Sequence, residues 1–354
     1  MGVLTVEKTG KRTEDEELKK ILESQKAVIK IIGAGGCGNN TISRLMQSGI
    51  AGAETIAVNT DAQDLLYTDA DVKLLIGRGL TGGLGAGADP KVGEESAKES
   101  RNEIKKVVEG SDLIFVTCGL GGGTGTGSIY VIAETAKKCG ALTVGVVTIP
   151  FDMEGRERMK NAIKGLERLR DAVDTLIVIP NQRLLDIVPD VSLPAAFKIA
   201  DEVLVNSVKG IIDLITRPGL VNRDFADVRA ILKNGGMAMI GIGESDGDKR
   251  AAEAIERALN NPLLNVELDG ARGALINISG GTDITTSEIK EIVESVSSRM
   301  SPDAKILWGV QIMKELGETV RALVVISGVS SPIMHAVSSP KSDVESILGI
   351  DFVK

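Results

Sequence analysis

The feature that most constrains this chain is the run Gly-Leu-Gly-Gly-Gly-Thr-Gly-Thr-Gly at 119–127, directly after the strand-like stretch LIFVTC. A helical pattern resumes after the run, so this loop connects a strand to a helix. Glycine lets backbone amides close around oxygen atoms, and two threonine hydroxyls add donors. The run predicts a loop that binds several phosphates at once; a purely structural turn is the alternative. Its candidate binding residues are Gly119, Gly121, Gly122, Gly123, Thr124, Gly125 and Thr126.

Another glycine loop occurs earlier, at 33–38, where G-A-G-G-C-G lies between the stretch AVIKII and a helical stretch that starts near Asn39. Taken alone, this G-x-G-x-x-G spacing fits a nicotinamide-dependent oxidoreductase about as well as any other phosphate site. Such an enzyme has an acidic residue at the end of its second strand, and here Asp61 comes slightly late. A tight turn without a ligand is the third interpretation.

The chain lacks the G-x-x-x-x-G-K-[S/T] string of P-loop proteins. The charge of a triphosphate would therefore be met by backbone amides, a helix dipole and Mg²⁺ instead of a loop lysine. A dehydrogenase does not need the loop at 119–127, so the two glycine loops together favour a nucleotide with several phosphates.

Strand-like and helical stretches alternate from Ala27 onward, which predicts an α/β fold with a doubly wound parallel sheet. The predicted strands include LTVGVVTI at 142–149 and VRALVVIS at 320–327. Asp89 and Pro90 predict the start of a helix that runs to about Glu109. A long apolar helix over 194–215 is expected to act as a spine, and after it a smaller α/β or α+β domain with a mixed sheet is expected. The predicted divisions are an N-terminal extension with a short helix (1–26), a nucleotide-binding domain with the spine helix (27–220), a second domain (221–328) and a linker with a short tail (329–354).

Charge and composition exclude several kinds of protein. With 49 acidic and 41 basic residues the net charge is −8, which gives no electrostatic basis for binding nucleic acid or an anionic membrane. No uninterrupted apolar run approaches the roughly 18 residues of a membrane span, and no signal or myristoylation pattern is present. Three cysteines without a Cys-x-x-Cys spacing argue against a disulfide framework or zinc site. We therefore expect a cytoplasmic protein without direct membrane insertion.

Five ordered motifs, together with the loop at 119–127, identify a family resemblance. GGGTGTG is the tubulin signature, and the chain from 27 to about 328 resembles FtsZ, the tubulin-like family of cell-division GTPases, in its archaeal branch. The five motifs are GAGGCGNN at 33–40, NTDAQDL at 59–65, GLTGGLGAGADP at 79–90, PFDMEGRERM at 150–159 and NRDFADVR at 222–229.

The resemblance implies a GTP and GDP site with Mg²⁺ held mainly through phosphates and water, and it assigns roles to matching positions. Glu154 and Arg158 are expected at the ribose, Phe197 on the guanine ring, and Asn181 and Asp201 on the guanine edge. A carboxylate suits guanine, which offers two adjacent N–H donors where adenine offers no such pair. From the residues alone, Asp201 reads as a solvated helix charge and Phe197 as core. The other positions expected at the nucleotide are Gly33, Gly35, Gly36, Asn39, Asp61, Thr81, Gly85 and Gly87, with the residues of 119–126 already named.

Asp224 and Asp227 are the main candidate catalytic residues, and Asn222 is a third. The only histidine, His335, lies in a Ser- and Pro-rich tail and is a poor general base. Two acids three residues apart share a helix face and can orient an attacking water, although a helix cap plus a solvated charge fits the spacing as well. The resemblance implies that both complete the active site of a neighbouring subunit, with Asn222 and Arg229 shaping the interface.

The function expected from the resemblance is a filament-forming GTPase that assembles head-to-tail with itself at the division site. A tubulin-like GTPase of plasmid partition or cell shape would share every phosphate loop. An oxidoreductase would account for the loop at 33–38 alone, and a nucleotide-binding scaffold without turnover would follow if Asp224 or Asp227 were misplaced.

The tail lacks the long linker and the basic, apolar peptide of bacterial members. Its last residues, ESILGIDFVK, are a candidate binding segment for a membrane-anchoring division protein, with a frayed terminus as the alternative.

Overall fold

The computed structural model describes residues 27–187, 191–216, 225–233, 235–264 and 271–329. The expected N-terminal helix, most of the linker and tail, Asn222 and Asp224 lie outside the described residues. Within them, no helix is both long and apolar enough to span a membrane.

Ten strands form one sheet in the order β3-β2-β1-β4-β5-β6-β7-β10-β8-β9. Strands β3 to β7 pair in parallel, β10 is antiparallel to both β7 and β8, and β8 pairs with β9 in parallel. The α/β class with a doubly wound parallel sheet and a mixed part is thereby confirmed. The strands are β1 (Ile29–Ala34), β2 (Ala53–Asn59), β3 (Val72–Leu75), β4 (Leu113–Gly119), β5 (Leu142–Ile149), β6 (Thr175–Pro180), β7 (Gly236–Ser245), β8 (Gly273–Gly280), β9 (Lys305–Ile312) and β10 (Val320–Ser327).

The parallel and mixed parts are joined by a short pairing of β6 with β7, from Thr175↔Gly236 to Ile177↔Ala238. The sequence pattern did not predict this continuity, because periodicity within a strand carries no information about its neighbour. The division into domains at 220 and 221 stays a prediction.

Twelve α-helices lie in the described part of the chain, and one sequence expectation about them is wrong. A single helix was expected from Pro90 to about Glu109, but the chain forms two helices that meet at Ser100, where the serine hydroxyl accepts a hydrogen bond from the Gly77 N–H. The helices are α1 (Gly35–Gln47), α2 (Ala62–Tyr67), α3 (Arg78–Thr81), α4 (Pro90–Glu99), α5 (Arg101–Val108), α6 (Thr124–Lys138), α7 (Arg156–Ala172), α8 (Asn181–Ile187), α9 (Leu193–Thr216), α10 (Phe225–Leu232), α11 (Arg250–Leu259) and α12 (Thr286–Ser297).

Helices cover both faces of the parallel strands, which explains why β5 is buried at every position. One core lies between the sheet and α4 to α7, and a second between the sheet and α1, α8, α9 and α10. A third core lies under α11 and α12. The spine helix α9 contributes Leu204, Val208 and Ile211 to the second core, which also contains Leu275 of β8 and Leu323 of β10. It therefore packs against both parts of the sheet.

Parallel pairing places the carboxyl ends of β1, β2, β4, β5 and β6 at one edge of the sheet, which we call the carboxyl edge. The opposite, amino edge carries the end of α9, because a methyl group added at Gly52, just before β2, would lie 2.8 Å from Thr216 Cγ2. It also carries the end of α10, because the Thr175 hydroxyl at the start of β6 donates to the Leu232 carbonyl.

Candidate functional site

Two glycine loops touch each other at the carboxyl edge. The first glycine loop (33–38) begins α1, and the second glycine loop (119–127) begins α6. Gly35 has a φ of +70°, and a methyl group added there would lie 2.8 Å from the Gly125 nitrogen. A methyl group at Gly125 would in turn lie 3.0 Å from the Ala34 oxygen. Glycine is therefore required on both sides of this contact, which sets two helix N-termini side by side.

Gly36 and Gly122 differ from their neighbours, because a methyl group added at either would meet no protein atom within 4 Å. In contrast, one added at Gly33 would lie 2.3 Å from the Gly38 oxygen, and one at Gly119 would lie 2.8 Å from Cys37 Sγ. The first and second glycine loops thus use some glycines for close packing, while Gly36 and Gly122 border open space. Backbone amides beside that space are suited to phosphate oxygens.

The second glycine loop is closed by its own hydroxyls. The Gly121 N–H donates to Thr126 Oγ1 at 2.8 Å, and Gly121 has a φ of +107°. The Thr124 and Thr60 hydroxyl oxygens lie 2.6 Å apart, and both side chains are buried. Sequence reasoning expected Thr124 and Thr126 to face the ligand, but the hydroxyls of both are engaged inside the protein.

A third loop, residues 77–89, lies against the second glycine loop. A methyl group added at Gly123 would lie 2.8 Å from Ala86 Cβ and 2.9 Å from the Asp89 nitrogen. Gly85 donates its N–H to the Thr60 carbonyl at 3.1 Å, and the Thr81 hydroxyl donates to the Gly77 carbonyl at 3.0 Å. The sequence-predicted residues Thr81, Gly85 and Gly87 belong to a loop that is therefore held against the second glycine loop through Thr60 and Gly123.

The third loop ends in a left-handed pair. Gly87 has a φ of +56° and is followed by Ala88 at +61°, the one non-glycine residue with a positive φ in the described ranges. A side chain in this region of backbone space is disfavoured, so the loop is under local strain. Asp89 then begins α4 by accepting from the Lys91 N–H.

Asn39 and Asp61 belong to a polar network next to the first glycine loop. The Asp64 carboxylate accepts from Asn39 Nδ2 at 2.8 Å and from Asn59 Nδ2 at 2.6 Å. Asp61 instead caps α2 by accepting from the Gln63 and Asp64 N–H groups. Sequence reasoning missed Asn59, Thr60 and Asp64 as positioning groups, although all three lie in the string NTDAQDL.

Glu154 and Arg158 lie where β5 leads into α7. Glu154 Oε1 accepts from the Phe151 N–H at 2.8 Å, and Arg158 Nε lies 3.3 Å from Glu154 Oε2. The main chain of Arg158 borders the second glycine loop, since a methyl group added at Gly121 would lie 2.8 Å from its carbonyl oxygen. The two residues are thus placed beside the second glycine loop.

Phe197 and Asp201 lie one turn apart on α9, where this helix approaches α1. The Phe197 ring is 39% exposed and meets the buried Phe151 ring edge-on, with centroids 5.3 Å apart. The Asp201 carboxylate lies 3.1 Å from Arg44 Nη2, and burial raises the pKa of Asp201 although Arg44 opposes the rise. Asn181 is 5% exposed, and its Oδ1 has no hydrogen-bond partner in the structure. Neither Arg44 nor Phe151 was given a role from the sequence, although Phe151 lies in the motif PFDMEGRERM.

Asp227 is not brought to this site. It lies exposed in the first turn of α10, with Arg229 half-buried in the same helix. Helix α10 packs by Val228, Ile231 and Leu232 into the second core and ends at the amino edge. The chain's own glycine loops are at the carboxyl edge, at the opposite ends of the parallel strands.

Comparison with known proteins identifies the family. The model of the Tubulin/FtsZ family, GTPase domain, matches residues 28–189, and the model of the FtsZ family, C-terminal domain, matches residues 236–330. The cell division protein FtsZ 1 of Methanocaldococcus jannaschii is 60% identical over 90% of this chain and 88% of its own length. FtsZ 1 of Thermococcus kodakarensis is 58% identical over 93% of this chain and 88% of its own length.

A solved structure of similar fold is the empty FtsZ dimer from M. jannaschii, with a TM-score of 0.86 and 60% identity. The match covers 89% of this chain and 92% of that one. The sequence resemblance based on the five motifs is confirmed, and the oxidoreductase alternative is set aside. This chain belongs to the tubulin/FtsZ family, as a member of its FtsZ branch.

Proposed function

We propose that this protein is a GTPase that assembles head-to-tail with itself into filaments serving cell division. The observation that carries the proposal is the contact between the glycine loops at Gly35 and Gly125, beside the open space at Gly36 and Gly122. Relatives at about 60% identity are named cell division proteins, and the matched family model is a GTPase domain.

The phosphates of GTP are bound by backbone amides of three loops. Gly35 and Gly36 belong to the first glycine loop and Gly122 to the second, and each of these loops begins a helix whose dipole favours an anion. Thr81, Gly85 and Gly87 contribute from the third loop. Asn39 and Asp61 border the first and third loops. The first and second glycine loops are shaped around the phosphates by Gly33, Gly119, Gly121, Gly123, Thr124, Gly125 and Thr126.

Guanosine is bound beyond the phosphates. Glu154 and Arg158 hold the ribose, and the half-exposed Phe197 ring supplies a face for the base. Asp201 accepts the two N–H groups of guanine, and the buried Asn181 amide, with an unpartnered oxygen, bonds the base edge. This donor and acceptor set favours GTP over ATP.

Mg²⁺ accompanies the nucleotide. Within the described ranges no group of three or more Asp, Glu, His or Cys side chains is placed to hold a metal. Hard cations such as Mg²⁺ keep several waters and are commonly bound through substrate phosphates. A Mg²⁺ ion held by the phosphates fits this site, where it would neutralise charge on the triphosphate.

Hydrolysis takes place between subunits. Asp227 is exposed at the start of α10, a helix that ends at the amino edge, whereas the phosphate loops of the same chain lie at the carboxyl edge. A head-to-tail contact brings the amino edge of one subunit to the carboxyl edge of the next, and such a heterologous contact yields an open filament. Asp227 then orients the attacking water in trans, and Asp224, Asn222 and Arg229 complete that face.

Exposed apolar side chains support the assembly. Leu66 and Tyr67 at the end of α2 are 70% and 80% exposed, and Leu84 in the third loop is 89% exposed. These residues adjoin the phosphate loops, since an isolated bridge pairs Leu84 with Asp61, the cap of α2. Large apolar side chains grouped at a binding site are typical of a protein interface.

The test follows phosphate release from GTP with Mg²⁺ and light scattering in the same cuvette while protein concentration is varied. We expect a concentration threshold shared by both signals, because assembly completes the active site. Turnover per molecule independent of concentration, without scattering, would contradict assembly-dependent hydrolysis and leave the nucleotide site intact.

The cellular part of the proposal concerns the division site and an anchoring partner for the C-terminal tail. A fluorescent fusion should form a band at midcell, and deletion of 345–354 should disperse the band while filaments still form in vitro. Localisation to plasmids or along the cell side would favour a role in partition or cell shape.

A further inference from the structure

The Asp201 carboxylate and the Arg44 guanidinium join α9 to α1 in the wall of the proposed base pocket. Arg44 Nη2 lies 3.1 Å from Asp201 Oδ2, and the two side chains are 33% and 14% exposed, respectively. Helix α1 starts at the first glycine loop and Arg44 lies in its last turn. An ion pair that is partly screened from water retains more Coulomb energy than a fully exposed pair.

The charged surroundings of Asp201 make Arg44 important for its ionisation. Burial raises the pKa of Asp201, Arg44 lowers it, and Glu202 on the same helix raises it further. Glu202 is itself 3.7 Å from Lys198, one turn earlier. The Cys37 thiol of α1 also faces Asp201, but burial, with the Asp201 charge second, raises the pKa of this thiol to about 12 and keeps it neutral.

Glu154 and Arg158 also act on the Cys37 thiol: Glu154 raises its pKa and Arg158 lowers it. Because the Glu154 and Arg158 side chains pair with each other at 3.3 Å, together they bring little net charge to the surroundings of Cys37 and Asp201. The balance at Asp201 therefore depends mainly on burial, which favours the protonated acid, and on Arg44, which favours the carboxylate.

Guanine recognition needs the carboxylate form. Guanine presents the N1 and N2 hydrogens side by side, and an ionised carboxylate accepts both. A protonated carboxyl group has a hydroxyl donor in place of one acceptor, so one guanine N–H would face a donor and stay unpaired. Leaving a buried donor unpaired is costly.

We propose that Arg44 determines guanine affinity as a positioning residue: its guanidinium holds the Asp201 carboxylate ionised and aimed at the base edge. Arg44 acts through Asp201. The inference rests on the proposed function, in which Asp201 reads guanine.

The test measures GDP dissociation constants by calorimetry between pH 5 and 8 with the full chain. GDP avoids turnover during the titration. Arg44→Met should lose up to roughly tenfold in affinity relative to the unsubstituted protein at the acid end of this range, because an opposite charge at this distance shifts the pKa of an acid by a unit or more. The loss should shrink towards pH 8, where the acid ionises without help. Inosine diphosphate, which lacks the N2 hydrogens, should show a smaller loss.

Two controls separate this effect from general damage. Arg44→Lys keeps the positive charge and should restore much of the pH profile. Arg321→Met removes an arginine of similar exposure, 35%, from a pair with Glu244 in the mixed part of the sheet, and it should leave the pH dependence of GDP binding unaltered. If Arg44→Met does not fold, Arg44→Gln replaces it in the same series.

The outcomes distinguish the two levels of the proposal. Arg44→Met or Arg44→Gln with the same pH dependence as the unsubstituted protein overturns the role of Arg44. Asp201→Asn should weaken GDP binding and strengthen binding of xanthosine diphosphate, whose base carries an oxygen in place of the N2 amine. If Asp201→Asn binds GDP as tightly as before, the base-reading role in the proposed function fails, and the role of Arg44 fails with it.

Discussion

The hydroxyl oxygens of Thr60 and Thr124 lie 2.6 Å apart in the buried space between the end of β2 and the start of α6. The Thr60 carbonyl also accepts from the Gly85 N–H at 3.1 Å. One residue thus ties the third loop to the second glycine loop. The arrangement indicates that the nucleotide loops are held together by buried side-chain and backbone bonds before any ligand arrives.

Thr60→Val tests this link. Valine has the same shape without the hydroxyl, so the Thr124 hydroxyl loses its partner, at a cost of about 1–3 kcal/mol in unfolding free energy. We also expect weaker GDP binding, because Thr124 stands in the second glycine loop. Thr135→Val is the matched control, since the Thr135 hydroxyl donates to Val131 within the same helix α6. Denaturant unfolding and GDP titration should give a binding defect for Thr60→Val only; equal defects would contradict the link.

Alanine substitutions should separate packing glycines from ligand-facing ones. Gly36→Ala meets open space, so nucleotide-free stability should hardly change while GDP affinity falls. Gly125→Ala meets the Ala34 oxygen at 3.0 Å and should lower stability even without nucleotide. Thermal unfolding with and without GDP measures both effects. If Gly36→Ala is stabilised by GDP as much as the unsubstituted protein, the open space beside Gly36 is not where phosphates bind.

Two substitutions of Ala88 should change the free energy of unfolding in opposite directions. Its left-handed backbone costs a side chain about 1–2 kcal/mol, which Ala88→Gly removes, while the extra freedom of glycine in the unfolded chain costs about 0.4–1 kcal/mol. The net expectation is a stabilisation of up to about 1.6 kcal/mol. Ala88→Val, with a branched side chain at the same φ, should destabilise by more than about 1 kcal/mol. Chemical denaturation of both variants checks the sign, and destabilisation by Ala88→Gly would contradict the strain.

The hydrogen bonds of Glu94 predict that the folded protein loses stability in acid. Burial raises the pKa of this carboxyl group, but hydrogen bonds from Lys98, Tyr130 and Arg168 outweigh it and lower the pKa to about 2, against an ordinary value of 4.5. A depressed pKa means that the stabilisation is present above pH 4.5 and is lost as pH falls towards 2.

The variant Glu94→Gln should therefore be less stable than the unsubstituted protein at neutral pH, and the difference should narrow between pH 4.5 and 2. Glu288→Gln is a matched control in the mixed part of the sheet, because hydrogen bonds from Arg250 lower the pKa of Glu288 to about 2. Urea denaturation at several pH values should show the same narrowing for both variants. A difference that is constant with pH would show that Glu94 contributes packing and not charge.

The sequence predicted much of the fold because each strand and helix carries its own periodicity. The stretches LTVGVVTI and VRALVVIS coincide with β5 and β10 residue for residue, and the spine helix was placed within one residue at each end. The break at Ser100 was missed, because it depends on a hydrogen bond to Gly77, 23 residues away. The β6–β7 pairing was missed for the same reason: partners distant in sequence leave no local signal.

The candidate site, like the fold, was predicted from the sequence only in part. The glycine loops were found because their composition and their position between strand and helix are local facts. Arg44 and Phe151 were given no role, since the role of each depends on a contact with α9, to Asp201 and Phe197 respectively. Thr126 was assigned to the ligand, yet its hydroxyl accepts the Gly121 N–H. Residue type alone could not distinguish a hydroxyl that closes a loop from one that faces a ligand.

Asp227→Ala tests hydrolysis in trans. We expect GDP binding to persist and turnover to fall by roughly 10²-fold or more, the usual scale for a positioned acid or base group. Asp171→Ala, at another exposed acid, on α7, is the control and should keep near-normal turnover. The decisive measurement mixes Asp227→Ala with Gly36→Ala subunits. Each variant alone should turn over GTP slowly. A mixed contact pairs intact loops with an intact Asp227, so activity should partly return, whereas a site contained within one chain would leave the mixture as slow as the separate variants.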